Sequence, residues 1–487
     1  MSGTCSYHKR MNRKSWLAFL LVALIPRALS QGLPELGDVS SADFSPQMEK
    51  RIGEEAYRSI RFQEGSFVDD PEVSAYINGL GRRLVASSAD RNKDFEFFSI
   101  QDSTINAFAM PGGYVGMHTG LLLAAQSESE IASVLAHEIS HVTQKHIARS
   151  VGKQSDLTTI SIAAMVLALL ASRSGGDLSM LALAGANAGA IQAQLNYSRD
   201  FEREADRVGF QLLTDAGFDG HAMASFFGRL QSSGRLGDNN APAYLRTHPM
   251  SGERMSDIQN RAQFLPYKQI PDSLDFHLVR AKLRAAIGDP RETVLAATEQ
   301  LRQKRYASEA AARYFLTAAF LRNRDLAGAD REMANLRSLK LANPMIDLLE
   351  ARIQIAQKRI AIAQTIIRDS LSRTPSYLPL RYALVQLLQD AGQHVPALRE
   401  SEDLVKLAGK DADVYAMRAR SFAATGQQVR MHQALAEQYY LMGALPGAVE
   451  QLQMAQKAGG ADFFQSSVID ARLREIQKEQ VPPGKPR

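Results

Sequence analysis

Residues 127–142 read Ser-Glu-Ser-Glu-Ile-Ala-Ser-Val-Leu-Ala-His-Glu-Ile-Ser-His-Val. Ser127 followed three residues later by Glu130 is a capping box, so a helix starts there. Ile131, Leu135, Ile139 and Val142 then give that helix an apolar stripe. His137 and His141 are four apart, one above the other on a single face, so both imidazoles reach one ion. Glu138 is turned about 100° from His137, beside that ion rather than on it. A carboxylate so placed takes a proton from the attacking water and passes it to the leaving amine. The pattern predicts metal-assisted peptide hydrolysis, with Glu138 as catalytic base and one Zn2+ per chain.

A third ligand has to come from elsewhere in the chain. His146 is nine residues from His137, on the opposite side of a continuing helix, and does not join the same ion. A metzincin would place glycine and histidine where Gln144 and Ile147 stand, so that class is excluded. Downstream, Ser198-Arg-Asp-Phe-Glu-Arg-Glu-Ala-Asp206 places Glu202 and Asp206 at i and i+4 on a helix. One of the two can ligate the metal while the other accepts the free N–H of a ligand histidine. Glu204 points elsewhere. His248, in Thr247-His248-Pro249, ends the catalytic segment in a polar loop. It is read either as approaching the metal, closing the water position or stabilising the oxyanion, or as a plain surface or capping histidine. Tyr197 is a weaker oxyanion candidate against a core or rim role, and nothing beside His221 or His277 suggests a function.

These residues resemble the gluzincin peptidases that include the heat-shock membrane protease HtpX and the CAAX prenyl proteases. The H-E-x-x-H helix, the E-x-x-x-D after Ser-Arg, Asn106-Ala107-Phe108-Ala109-Met110-Pro111-Gly112-Gly113 and Thr119-Gly120-Leu121-Leu122 carry the resemblance, which covers about residues 48–260. It implies that His137, His141 and Glu202 are the ligands, Glu138 the base and Asp206 an outer support. Asn106 to Met110 is read as an edge strand pairing with an extended substrate, with a plain hairpin as the alternative. The chain departs from the CAAX branch in lacking a multi-span membrane domain, so prenylated peptides are not expected as substrates.

Around this segment the chain divides readily. His8, Lys9, Arg10, Arg13 and Lys14 precede an apolar run, Trp16 to Ile25, and Ala28-Leu29-Ser30 offers a cleavage site. Residues 1–30 therefore read as a signal peptide, because ten apolar residues make about 15 Å of helix against a hydrocarbon core of about 30 Å. The only cysteine, Cys5, falls within it, leaving His and carboxylate as metal donors. So do five of the 57 Lys and Arg, which leaves 52 cations against 52 anions and no case for nucleic acid. Residues 31–47 are an extended lead-in.

The segment 48–265 reads as an α+β, zincin-like catalytic domain, mostly helical with a small sheet. It has helices near 48–60 and 70–87 and strands at 95–100, 107–110 and 114–118. Within it 158–198 is an apolar helical hairpin or lid, with membrane insertion as the alternative. From 275 to 478 the chain is all-α. Gly392 and Gly426 stand 34 residues apart, and Ala436, Tyr439, Gly443, Ala448, Leu452 and Ala455 fit the tetratricopeptide pattern. A looser helix pair near 310–338 fits through Phe320 and Ala329. A superhelical repeat array is expected, with an ordinary helical bundle as the alternative. Residues 479–487 form a disordered tail.

The resemblance and the signal peptide together imply a periplasmic enzyme, peripheral at the outer membrane. Its expected substrates are unfolded or misassembled envelope proteins, and its expected partner the outer-membrane β-barrel assembly machinery. A chaperone or assembly scaffold with latent peptidase activity is the competing expectation.

Overall fold

The computed structural model describes residues 45–63, 66–88, 90, 94–151, 199–235, 242–266, 270–460 and 462–479. The expected signal peptide, most of the lead-in and tail, the 158–198 hairpin and Tyr197 lie outside these residues. Helix α1 (Pro46–Gln63) is followed by α2 (Pro71–Ala86). Asp70 caps α2 by accepting from Glu72 N and Val73 N, with Pro71 in the first turn, where its missing N–H costs nothing. Three strands follow: β1 (Glu96–Ile100), β2 (Ala107–Met110) and β3 (Tyr114–His118). Their order is β1-β3-β2, parallel between β1 and β3 and antiparallel between β2 and β3, which leaves β2 at an edge. Gly112 and Gly113, at φ 78° and 92°, make the reversal between β2 and β3, where a side chain on Gly113 would strike Asp94 O.

The period of two along each strand sorts side chains onto two faces. Phe98, Ile100, Phe108 and Met110 pack with Ile52, Ala56 and Ile60 of α1. Phe97, Ala107, Val115 and Met117 face the main core with Ile77 and Leu84 of α2. Into that core runs helix α4 (Glu128–Thr143), after the short α3 (Thr119–Ala124). Ser127 caps α4 through Glu130 N, and Glu130 reaches back to Gln126 N while pairing with Arg229. The apolar stripe expected for α4 understates its burial, because all of Glu128–Val142 is inside. Helix α6 (Arg199–Asp215) covers its far side.

Gly209 of α6 makes this approach possible: a Cβ there would stand 3.1 Å from Ala136 C and O and from His137 Cα. These are backbone atoms and give little. Ala at this position would recover about 1 kcal/mol of helix propensity, so Gly209→Val is the sharper test. It should cost about 1–3 kcal/mol through overpacking and weaken metal binding by displacing α6 from α4. Thermal unfolding and chelator competition check both effects.

From Leu274 to Glu479 the chain stacks helices of 13 to 17 residues. A turn residue with positive φ recurs every 34 residues: Arg324, Lys358, Gly392, Gly426 and Gly460. The repeat was only partly legible because Arg324 and Lys358 occupy a left-handed conformation usually given to glycine, at about 1 kcal/mol or more each. The array also turns back on the catalytic part. Glu72, buried in α2, pairs with Lys282 and Arg352, and Arg61 of α1 lies 2.8 Å from Asp411 and 2.9 Å from Asp413. No described helix is long and apolar enough to cross a membrane.

Candidate metal centre

His137 Nε2 and His141 Nε2 face each other at 3.0 Å, close to the ~3.3 Å edge of a tetrahedron with metal–nitrogen bonds of about 2.05 Å. Glu202 of α6 reaches both, Oε2 at 3.4 Å from His137 Nε2 and Oε1 at 3.5 Å from His141 Nε2. His248, just after helix α8 (Ala243–Thr247), completes the group, its Nδ1 3.0 Å from Glu202 Oε1. One donor atom from each of these four residues lies within 4.8 Å of the other three, and all four residues are buried. His248 is therefore not a surface histidine. Three of the four donors are held on two packed helices, and the fourth arrives from a loop 46 residues beyond Glu202.

Glu138 is fully buried, and neither carboxylate oxygen accepts a hydrogen bond from the described residues; the His248 imidazole lies beside it, Nε2 at 3.5 Å from Oε1. A buried carboxylate left this way is costly unless a cation stands beside it. Together with three imidazoles and a carboxylate, and no thiolate, the donor set fits a divalent ion such as zinc.

Asp206 sits where an outer support is needed, its Oδ1 3.0 Å from His137 Nδ1. Burial works against a charged His137, but Asp206 and Glu202 outweigh it and raise its pKa to about 9. His141 goes the other way, driven well below the ordinary imidazole value by burial and by the histidines around it, against the pull of Glu202. Burial opposes ionisation of Glu202, yet His248, His137 and His141 keep its carboxyl well below the usual range.

Three participants escaped the sequence reading. Arg254 of helix α9 (Gly252–Gln263) forks onto Asp206 at 2.6 and 2.8 Å and places Nη1 2.8 Å from Glu202 Oε2. No spacing rule connects Arg254 to residues 48 and 52 positions earlier. Tyr244 stacks on His248 at 4.6 Å, and its hydroxyl is buried with no hydrogen-bond partner among the described residues. Its backbone N–H donates to Ile105 O, so the segment carrying His248 is fastened to the start of β2. His146 is the correction. Helix α4 ends at Thr143, Lys145 turns the chain at φ 54°, and α5 (His146–Val151) starts anew. His146 Nδ1 consequently lies 2.8 Å from His141 Nδ1 instead of on the far side. It remains outside the four-donor group, and Glu204 faces His146 and Arg149. His221 and His277 lie near Asp219 and Asp272, away from this group.

In the expected substrate edge, Ala107 to Met110 form β2, and Asn106 precedes it with its carboxamide fully buried and both polar atoms without a hydrogen-bond partner among the described residues.

A buried donor set on an H-E-x-x-H helix, with an unpaired glutamate beside it, defines a metallopeptidase. Peptidase family M48 matches residues 71–262. Over 458 residues the chain is 30% identical to the beta-barrel assembly-enhancing protease of Escherichia coli (strain K12), which spans 92% of each chain. A Vibrio cholerae relative is 43% identical over 253 residues, spanning about half of each chain at 52%. The mitochondrial metalloendopeptidase OMA1 of Schizosaccharomyces pombe is 31% identical over 231 residues, 47% of this chain and 64% of that one. The chain belongs to peptidase family M48.

Proposed function

We propose that this metallopeptidase is a zinc endopeptidase of the periplasm, cutting unfolded or stalled outer-membrane proteins. The observation that carries the chemistry is the pairing of the four-donor group with Glu138, a buried carboxylate placed beside the donors that accepts no hydrogen bond from the described residues. When bound, zinc acidifies the attacking water and polarises the scissile carbonyl. Glu138 removes the proton and delivers it to the leaving nitrogen. His137, His141 and Glu202 are the assigned ligands, and Asp206, itself locked by Arg254, orients His137. The edge position of β2 and the unpaired Asn106 carboxamide favour an extended substrate docked along Asn106, Ala107, Phe108, Ala109 and Met110. The location follows from residues 1–30 read as a signal peptide, and the substrate class from the names of relatives aligned over most of their length. In this reading 48–265 is the catalytic domain, and 275–478 the recognition array, with the β-barrel assembly machinery as its partner.

The second reading, a chaperone or assembly scaffold with a latent peptidase, is favoured by His248. It is the fourth donor of the group, and a four-coordinate ion held by all four residues would leave no place for the attacking water. His248→Ala decides the matter on full-length protein with an unfolded substrate. A latch predicts faster cleavage and weaker zinc binding, whereas an oxyanion donor predicts slower cleavage with zinc unchanged. No change in either quantity would remove His248 from the mechanism.

A further inference from the structure

His137 and His141 each have a second ring nitrogen that needs support, and the two supports differ. For His137 the support is a carboxylate: Nδ1 lies 3.0 Å from Asp206 Oδ1, an ion-pair contact without hydrogen-bond alignment, and Arg254 grips Asp206. For His141 the described residues place an imidazole, not a carboxylate, at Nδ1. The atom there is His146 Nδ1, at 2.8 Å, and His146 Nε2 in turn lies 3.2 Å from Glu204 Oε2. Arg149 Nη1 donates to the same Glu204 oxygen at 2.9 Å. The two supports thus run in parallel, histidine to carboxylate to arginine, one of them lengthened by an imidazole. We propose that His146 is a positioning residue for the metal: together with Glu204 it forms a hydrogen-bonded relay that holds His141 in the tautomer able to ligate through Nε2. This rests on the metal-centre reading above.

The proton count leaves a single direction for the relay. A ligand nitrogen offers its lone pair, so His141 Nε2 carries no hydrogen and neutral His141 carries it on Nδ1. His141 Nδ1–H then donates to His146 Nδ1, which must be bare. His146 consequently holds its own hydrogen on Nε2 and donates it to Glu204. Reversing any link would leave two hydrogens facing each other or a carboxylate facing a lone pair. The ring of His146 is fixed by Phe201, stacked on it at 4.6 Å with the planes 13° apart, and Arg149 caps the same Phe201 ring. His146 has no exposed surface. Its place depends on the break in the helix: Lys145 adopts a left-handed backbone, which costs a non-glycine residue about 1–2 kcal/mol. Had α4 continued, His146 would have faced away from His141.

The test uses the full-length protein with three readouts: zinc affinity by chelator competition, the visible spectrum of the Co2+-substituted form, and thermal unfolding of the metal-free form. His146→Ala should weaken zinc binding about 10- to 100-fold and alter the Co2+ spectrum. His146→Asn, which keeps an acceptor near the Nδ1 position, should recover part of the affinity. Glu204→Gln should weaken zinc binding in the native background and add nothing in the His146→Ala background, as one chain requires. If His146→Ala unfolds in the metal-free form, His146→Asn and Glu204→Gln still report on the relay. Unchanged zinc affinity and Co2+ spectrum in His146→Ala, with wild type binding one zinc, would overturn the relay. Fully additive losses from His146→Ala and Glu204→Gln would overturn it as well. A wild type that binds no zinc overturns the metal reading beneath it.

Discussion

Glu138→Gln should leave one zinc per chain and slow cleavage of an unfolded protein by about 10²–10⁴-fold. The carboxylate is not among the four donors, so its loss takes no ligand from the ion. It accepts no hydrogen bond from the described residues, so an amide of the same shape breaks none that the fold supplies. In the metal-free protein the substitution should even stabilise, because a buried charge disappears. Metal content, turnover and unfolding temperature, measured together on wild type and variant, separate the roles. Loss of zinc along with activity would make Glu138 a ligand instead of a base. Equal turnover in both proteins would remove the base assignment altogether.

The largest effect on stability is expected at a residue with no part in the chemistry. Arg254 holds Asp206 by two hydrogen bonds and touches Glu202 by a third nitrogen, inside a site where all three side chains are nearly inaccessible. Arg254→Met keeps much of the volume and removes the guanidinium from Asp206, leaving it only His137 as a cationic neighbour among the described residues. Two buried carboxylates would then share one imidazolium, His137, in place of a guanidinium and an imidazolium, and removing one partner of a buried pair typically costs about 3–5 kcal/mol. Arg254→Lys restores the charge but not the fork, and should recover part of the loss. Urea unfolding of the metal-free forms measures this directly, since bound zinc would mask it. A loss well under 1 kcal/mol would mean that these carboxylates are neutralised some other way. The same variant should bind zinc more weakly, because Asp206 would no longer be aimed at His137.

These two predictions mark the division between what is local in the chain and what is not. The place of Glu138 was legible because it follows from the period of one helix: four residues bring His137 and His141 together, and one residue turns Glu138 beside them. Glu202 and Asp206 were legible for the same reason, being i and i+4 on another helix. The strands at 107–110 and 114–118 showed through their turn, and the repeats through glycines 34 residues apart. Arg254 carried no such signal. Its partners lie on a separate helix, and a lone arginine after Ser251 looks like any surface cation. His146 was misplaced because the helix was extrapolated one turn too far; Lys145, a residue that seldom takes a left-handed backbone, gave no warning of the stop.

From the sequence alone came the H-E-x-x-H helix, the carboxylates that accompany it, the place of Glu138 beside the donors, the small sheet and the helical array. Each depends on spacing within one element, where 3.6 residues per turn or two per pleat translate order directly into position. The tertiary structure alone brought α6 onto α4 across Gly209, drew Arg254 onto both carboxylates, turned His146 back onto His141 and inserted His248 among the donors. Those are contacts between elements, settled by which faces must be buried together and by the need to pair every charge taken out of water.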